Sequence, residues 1–505
     1  MDAIDLEVFT NALGGITEEM MARLIRAAYS ANIKERRDCS TALFDRQGRD
    51  IAQAAAIPVH LGALGDAVAA VISRDPVPGE IFLLNDPFSG GSHLPDLTLI
   101  TVIAQPEDPE QILGFAVSRA HHADIGGMRP GSMPADSTTI FQEGLVIPPT
   151  RIGRHGQLDE NILRLILANV RQPELRRADL RAQVSANQLG AERLQSLCYP
   201  LSSEAFDLRV AEVLDYTERR IRRGIAQLRD GIYSATDYLE AADGSNILLQ
   251  VKVTVSGDAL TIDFTGTAPQ IHGNLNAPLA VTRSAVAFAL RALIDPYLPA
   301  NAGAMVPVHL VVPKGCLLHA VWPAAVVAGN VETSQRVADL LMLALGNGLA
   351  QGQGTMNNLI LGNANFSYYE TIGGGQGASS SGSGLDGVHV GMSNTLNTPI
   401  EALEMEFPLR LLSYELRENS GGNGAYRGGW GIVRTIQVLE DCTLSLLSDR
   451  RHHAPQGILG GQSGTPGHNF LNNEILPAKT SRELKAGDQV RIETPGGGGW
   501  GEGTP

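Results

Sequence analysis

Two apolar, β-prone runs, Leu97 to Ala104 and Ile112 to Ala120, have the turn-rich stretch Gln105-Pro106-Glu107-Asp108-Pro109-Glu110 between them. So short and turn-rich a connection leaves one simple pairing, an antiparallel hairpin. That pairing sets the start of the first strand beside the end of the second. Those two ends carry Ser92-His93-Leu94-Pro95-Asp96 and Arg119-Ala120-His121-His122-Ala123-Asp124. Pro95 keeps His93 and Asp96 out of a helix interior, so they belong where a loop enters the strand. Imidazoles and carboxylates can converge there, and mixed nitrogen and oxygen ligands suit zinc, manganese or iron. Strand side chains alternate between faces. One of His121 and His122 is therefore expected at the metal, and the other in proton transfer or in orienting a ligand. The spacing is not a closed motif such as H-E-x-x-H, and it also fits polar residues satisfied at a sheet end.

The rest of the chain reads as α+β, with several domains, mixed helices, largely antiparallel sheets and a β-rich C-terminal region. A length of 505 residues exceeds one ordinary core. Thr17 can cap a helix whose apolar positions are Met20, Met21, Leu24, Ile25 and Ala28. Residues 41–44 and 51–54 flank a turn and form a hairpin. A second helix is expected from Leu61 to about Ser73. Residues 159–235 read as helical and charged, with Glu218 to Arg223 a solvated face. Alternation at Val251, Val253 and Val255, then at Leu260, Ile262 and Phe264, marks a further hairpin, and 279–293 and 334–346 return to helix. Three regions are expected: 1–245, which holds the metal-binding part and the helical segment; 246–406, α+β with a Gly-rich loop; and 407–505, mostly β.

Several functions are disfavoured. A net charge of −15 argues against nucleic acid or an anionic membrane as partner. No stretch approaches the roughly 18 apolar residues of a membrane span. Cys39, Cys198, Cys316 and Cys442 form no C-x-x-C pair and fit a reducing compartment. The first residues lack the pattern of a signal peptide, so a cytoplasmic location is expected. No phosphate-binding G-x-x-x-x-G-K-[ST] and no G-x-S-x-G nucleophile elbow occur. Gly373-Gly374-Gly375-Gln376-Gly377 reads as a tight loop, since no clear helix follows it. His60 reads as a cap or packed histidine, with a site role open, and Arg451-His452-His453 as solvated or packing residues.

A wider set of segments carries a resemblance. It comprises Asn32 to Ser40, Asn85-Asp86-Pro87-Phe88-Ser89-Gly90-Gly91 leading into Ser92 to Asp96, Arg119 through Asp136, Glu370 through Gly377, Asn394 to Pro399, and Pro495 to Gly501. Together these resemble the B-type component of the hydantoinase/oxoprolinase family over almost the whole chain. The family includes hydantoinases, 5-oxoprolinases, a caprolactam lactamase and the acetone and acetophenone carboxylases. The resemblance implies Asp38, His93, Asp96 and His121 as metal ligands. It also implies ATP and Mg bound by a separate A-type subunit, hence a hetero-oligomer.

The activity so implied is ATP-dependent hydrolysis of a cyclic amide, a hydantoin, 5-oxoproline or lactam. The partner would phosphorylate the amide oxygen, and a metal-bound water would attack the activated carbon. His122 and Asp124 are the candidates for proton transfer or orientation, and the loop Gly126 to Ser137 is expected to close over the site. Two alternatives stand beside this: a subunit of an ATP-dependent ketone carboxylase, mildly disfavoured by the lack of an extra domain, and a non-catalytic structural partner.

Overall fold

The computed structural model describes residues 1–503 except Asn347. The expected hairpin lies at the middle of an antiparallel seven-stranded sheet. Its strands are β1 (Cys39–Asp45), β2 (Asp50–Ala55), β3 (Glu80–Leu84), β4 (Asp96–Ala104), β5 (Ile112–His121), β6 (Thr150–Arg154) and β7 (Gln157–Leu158), in the order β2-β1-β5-β4-β3-β6-β7. Both faces are covered, which is why β4 and β5 read as continuous apolar runs. Ala42, Phe44 and Val117 pack on the helix Leu64–Ile72. Leu43 and Ala116, on the opposite face, pack with residues of the long helices Ala3–Ala27 and Pro173–Cys198. Gln183 stitches the hairpin from above, its amide donating to the Leu97 carbonyl at 3.0 Å and the Ser118 carbonyl at 3.3 Å.

The first helix is longer than its apolar spacing suggests. It starts at Ala3, with Asp2 accepting from the Asp5 amide, and it runs through Gly14 and Gly15. Thr17 is therefore interior, its hydroxyl donating to the Gly14 carbonyl at 2.7 Å. The charged stretch forms the helices Glu160–Leu167, Pro173–Cys198 and Ser203–Ile225, and it gives way to strand at Gly231.

A second sheet of four strands follows: β8 (Gly231–Glu240), β9 (Asn246–Ser256), β10 (Ala259–Asp263) and β11 (Val308–Val311), with β10 and β11 parallel. Val251, Val253 and Val255 pack there with the helices Leu279–Ile294 and Ser334–Leu345 in the largest core. A third sheet joins β12 (Asn358–Gly362) and β13 (Ser367–Glu370) to β16 (Cys442–Leu447) and β19 (Lys479–Leu484). The fourth contains β14 (Leu409–Arg417), β15 (Gly431–Val438), β17 (His468–Leu471), β18 (Glu474–Leu476) and β20 (Gln489–Glu493). Between the second and third sheets lies a buried ionic lattice. Arg336 meets Asp449 at 2.8 Å, Arg450 meets Asp237 at 3.0 Å and Lys479 meets Asp449 at 3.1 Å. Such groups tolerate burial only when paired in this way.

The glycine-rich tail is packed backbone on backbone. A Cβ at Gly497 would lie 2.0 Å from the Gln376 carbonyl oxygen, so only glycine allows this approach. The loop 373–377 is thus occupied by the chain's own tail, with the Gly375 amide donating to the Pro495 carbonyl at 3.0 Å. Among the described residues, no helix is long and apolar enough to cross a membrane.

Candidate metal centre

The β4–β5 ladder pairs Asp96 directly with His121. His93 approaches from the loop before β4, and three local features hold that loop. Asn85 donates to the Leu94 carbonyl at 2.8 Å. Arg119, on the same face of β5 as His121, donates to the Gly90 carbonyl at 2.9 Å and to Thr98 Oγ1 at 2.8 Å. Gly91 lets the loop fold back on Asn85, since a Cβ there would sit 2.4 Å from the Asn85 carbonyl oxygen. The His122 amide then donates to the Pro95 carbonyl at 2.8 Å, closing the strand ends together.

His93, Asp96 and His121 each offer a ligand atom within 4.8 Å of the others, and all three are buried. His93 Nε2 lies 3.1 Å from Asp96 Oδ1, and His121 Nδ1 lies 3.3 Å from the same oxygen. Ligand atoms bound to one ion at roughly 2.1 Å stand about 3.0 to 3.4 Å apart, so these spacings fit a shared cation. Asp96 Oδ1, both ring nitrogens of His93 and His121 Nε2 are buried without a hydrogen-bond partner among the described residues. Buried polar atoms are ordinarily satisfied, and the facing pair Asp96 Oδ1 and His93 Nε2, left without partners, is what a bound cation would complete.

The other oxygen of Asp96 is committed to the protein. Ser92 Oγ donates to Oδ2 at 2.5 Å, and His60 Nε2 lies 3.3 Å from it. His60 is fixed in turn by Ser40 Oγ, 2.9 Å from its Nδ1. This clamp aims Oδ1 toward the two histidines. Burial raises the Asp96 carboxyl, but His93, His60 and His121 outweigh it and hold the group well below the usual carboxylate range. Burial lowers the His121 pKa, against Asp96 and Asp38, so the ring is neutral and its lone pair available at neutral pH.

The remaining expected site residues lie around this cluster, outside the group of three. Asp38 ends the segment before β1; it is buried, and its carbonyl accepts the His121 amide at 3.0 Å. His122 faces the helix Pro173–Cys198, with Nε2 3.0 Å from Gln183 Oε1, and burial lowers its pKa to about 4. Asp124 is fully buried and saturated: Oδ1 accepts from the Gly126 and Arg171 amides, Oδ2 from the Gly131 amide and the Arg171 guanidinium, at 2.8 to 3.0 Å. The loop Gly126 to Ser137 is consequently a fastened segment rather than the free lid its composition suggests. Ser132 Oγ accepts from the Ile125 amide and donates to the Gly126 carbonyl, both at 2.7 Å, while Met133 enters the largest core.

Two neighbours carry no local sequence signal. Tyr369 on β13 stacks on His121 with ring centroids 4.5 Å apart and planes at 14°. The Arg36 guanidinium covers the Tyr369 ring at 4.5 Å and donates to the Tyr369 carbonyl at 2.6 Å. Tyr369 reaches the site through packing of the third sheet on the first, whereas Arg36 comes from the segment just before β1.

A family model described as Hydantoinase B/oxoprolinase matches residues 2–503. 5-Oxoprolinase 1 of Arabidopsis thaliana is 38% identical over 99% of this chain, which spans only 42% of that longer protein. The B component of a putative D-/L-hydantoinase from Pseudomonas sp. NS671 is 31% identical, with 99% of this chain and 90% of that protein covered. In structure, the chain resembles the ATP-dependent caprolactamase from Pseudomonas jessenii, with TM-score 0.92, 27% identity, and 99% and 91% of the two chains covered. The nucleotide-free acetone carboxylase shares the fold, at TM-score 0.87 and 17% identity, over 99% of this chain and 76% of that one.

Proposed function

The chain belongs to the hydantoinase B/oxoprolinase family, and we propose that it is the metal-binding subunit of an ATP-dependent cyclic amide hydrolase. The observation that carries this reading is the convergence of His93, Asp96 and His121, with the facing Asp96 Oδ1 and His93 Nε2 unsatisfied. The names of the relatives support the reaction class: 5-oxoprolinase, D-/L-hydantoinase and ATP-dependent caprolactamase. The sequence holds no phosphate-binding motif of recognised type, and the chain spans less than half of the plant 5-oxoprolinase. ATP and Mg are accordingly assigned to a partner A-type subunit, and the cytoplasm to the complex.

His93, Asp96 and His121 would hold zinc, manganese or iron, with Asp38, buried beside them and bonded through its carbonyl to the His121 amide, as the proposed fourth ligand. A divalent ion there would supply Lewis acidity and a nucleophile at neutral pH. The chain's own residues do the rest. Ser92 and His60 hold the Asp96 carboxylate in one orientation, and Tyr369 fixes the plane of His121 by stacking. Of the two roles open to His122 and Asp124, proton transfer and orientation, their contacts favour orientation. His122 braces β5 against Gln183, and Asp124 fastens the loop after it. An unstrained amide is a poor electrophile, so phosphorylation of its oxygen by ATP in the partner makes the ring carbon attackable. Water adds to that carbon, the ring C–N bond breaks with the nitrogen taking up a proton, and the products are the open-chain acid, ADP and phosphate.

The test is ATP turnover by this chain with its co-purifying partner across hydantoins, 5-oxoproline, lactams and ketones, with and without bicarbonate. Bicarbonate-independent ring opening coupled to ADP release is the expected result. Turnover confined to ketones plus bicarbonate would replace this reading with a carboxylase. Metal-free preparations with full activity would remove the site from the reaction.

A further inference from the structure

His121 lacks the hydrogen bond that ordinarily fixes a metal-ligating imidazole. The ring nitrogen turned away from the ion is usually held by a carboxylate, a carbonyl or a water, which sets the orientation of the ring. In His121, Nδ1 faces Asp96 Oδ1, an atom of the same centre. Nε2 is buried without a hydrogen-bond partner among the described residues. The ring instead lies flat against Tyr369, with centroids 4.5 Å apart and planes at 14°.

Tyr369 is itself tethered at its far end. Its hydroxyl donates to Asn358 Oδ1 at 2.9 Å. Asn358 and Ile360 share one side of β12, and Ile360 packs with Tyr369 in the largest core, while Leu359 points into another. The Asn358 amide nitrogen donates to the Leu447 carbonyl and to Glu332 Oε1, both at 3.2 Å. A carbonyl can only accept, so the Asn358 amide cannot turn over without setting oxygen against oxygen. It therefore presents its oxygen to the tyrosine. Glu332 ends the chain, fully buried in a π-helical turn, Gly329–Thr333, that leads into the helix Ser334–Leu345. Its Oε1 also accepts the Met356 amide at 3.2 Å, which ties the turn to the segment before β12. Such turns are rare and recur at functional sites.

We propose that Asn358 and Glu332 are positioning residues of the metal centre, acting on His121 through the Tyr369 hydroxyl. This rests on the reading that His121 binds the ion. The stack replaces the missing hydrogen bond of His121, and the chain Glu332–Asn358–Tyr369 keeps the stacked ring from sliding.

Loading the full chain with cobalt(II) tests this, with affinity read by chelator competition and ligand geometry by the visible absorption of the bound ion. Tyr369→Phe keeps the stacked ring and removes only the hydroxyl, and Asn358→Leu removes the next link. Each should weaken cobalt binding by about 10- to 100-fold and alter the absorption bands. The double variant should bind no more weakly than Asn358→Leu alone, since both changes cut one chain. Glu332→Leu should share the loss, and Glu332→Gln, which keeps an accepting oxygen, should recover it. Residues that only support the fold would lower stability to urea and leave the affinity and absorption of the folded protein unchanged. Affinity and absorption equal to the parent's in Tyr369→Phe would overturn the proposal, whether or not Asn358→Leu folds. Additive losses in the double variant would also overturn it. A parent chain that takes up no cobalt would overturn the metal reading itself, and the proposal with it.

Discussion

Asp96 and His121 stand opposite each other on β4 and β5, with Asp96 Oδ1 3.3 Å from His121 Nδ1. The ladder register sets this distance, so the site is carried by rigid sheet. Its remaining freedom is the rotation of the Asp96 carboxylate, and that is what Ser92 and His60 remove.

Removing the clamp should therefore weaken metal binding without destroying the ligand set. His60→Ala and Ser92→Ala are each expected to lower metal affinity by about 10- to 100-fold, the usual effect of losing a group that orients a ligand. Competition with a chelator of known affinity measures this. Unchanged affinity in both variants would show that Asp96 needs no external orientation.

His122 lies on the other side of the strand end from His121, against Gln183. His122→Ala should keep its metal and lose about 1 to 3 kcal/mol of stability, from the Gln183 partner left unsatisfied in the interior. Metal content and urea unfolding of the variant check both parts. Loss of metal with unchanged stability would reverse the roles assigned to the two histidines.

Glu143 gives a pH signature. Burial pushes its carboxyl up to about 7 from the ordinary value of 4.5, against hydrogen bonds from the Val326 and Val327 amides and the Ser137 hydroxyl. Between these two values the folded chain holds a proton that the unfolded chain has released. This contribution to stability is thus fully present below pH 4.5 and is lost as the pH rises through about 7. Glu143→Gln cannot titrate, so it should gain on the parent chain by up to about 3 kcal/mol as the pH rises across that window. Urea unfolding of both proteins at several pH values tests this, and parallel stability profiles would contradict it.

Much of the centre is legible in the sequence because it is a local consequence of one hairpin. The runs Leu97 to Ala104 and Ile112 to Ala120 become β4 and β5, and pairing their ends brings Asp96 to His121. His60 is ambiguous in sequence because Pro58-Val59-His60 reveals nothing about Ser40, its partner on another element. Tyr369 is invisible for the same reason, since it arrives through packing of a separate sheet. The loop Gly126 to Ser137 misleads through composition. Its glycines signal freedom, but the Asp124 carboxylate and buried Met133 fasten it. The tail glycines suggest turns, whereas Gly497 serves a close backbone approach that only the packed chain displays.

The central claim is that His93, Asp96 and His121 together bind one divalent cation. Elemental analysis of the chain purified without chelator, beside His93→Ala and His121→Ala, tests it most directly. The account predicts about one equivalent of zinc, manganese or iron in the parent chain and nearly none in either variant, since an open site has few protein ligands to spare. Metal content that is the same in all three proteins would contradict it.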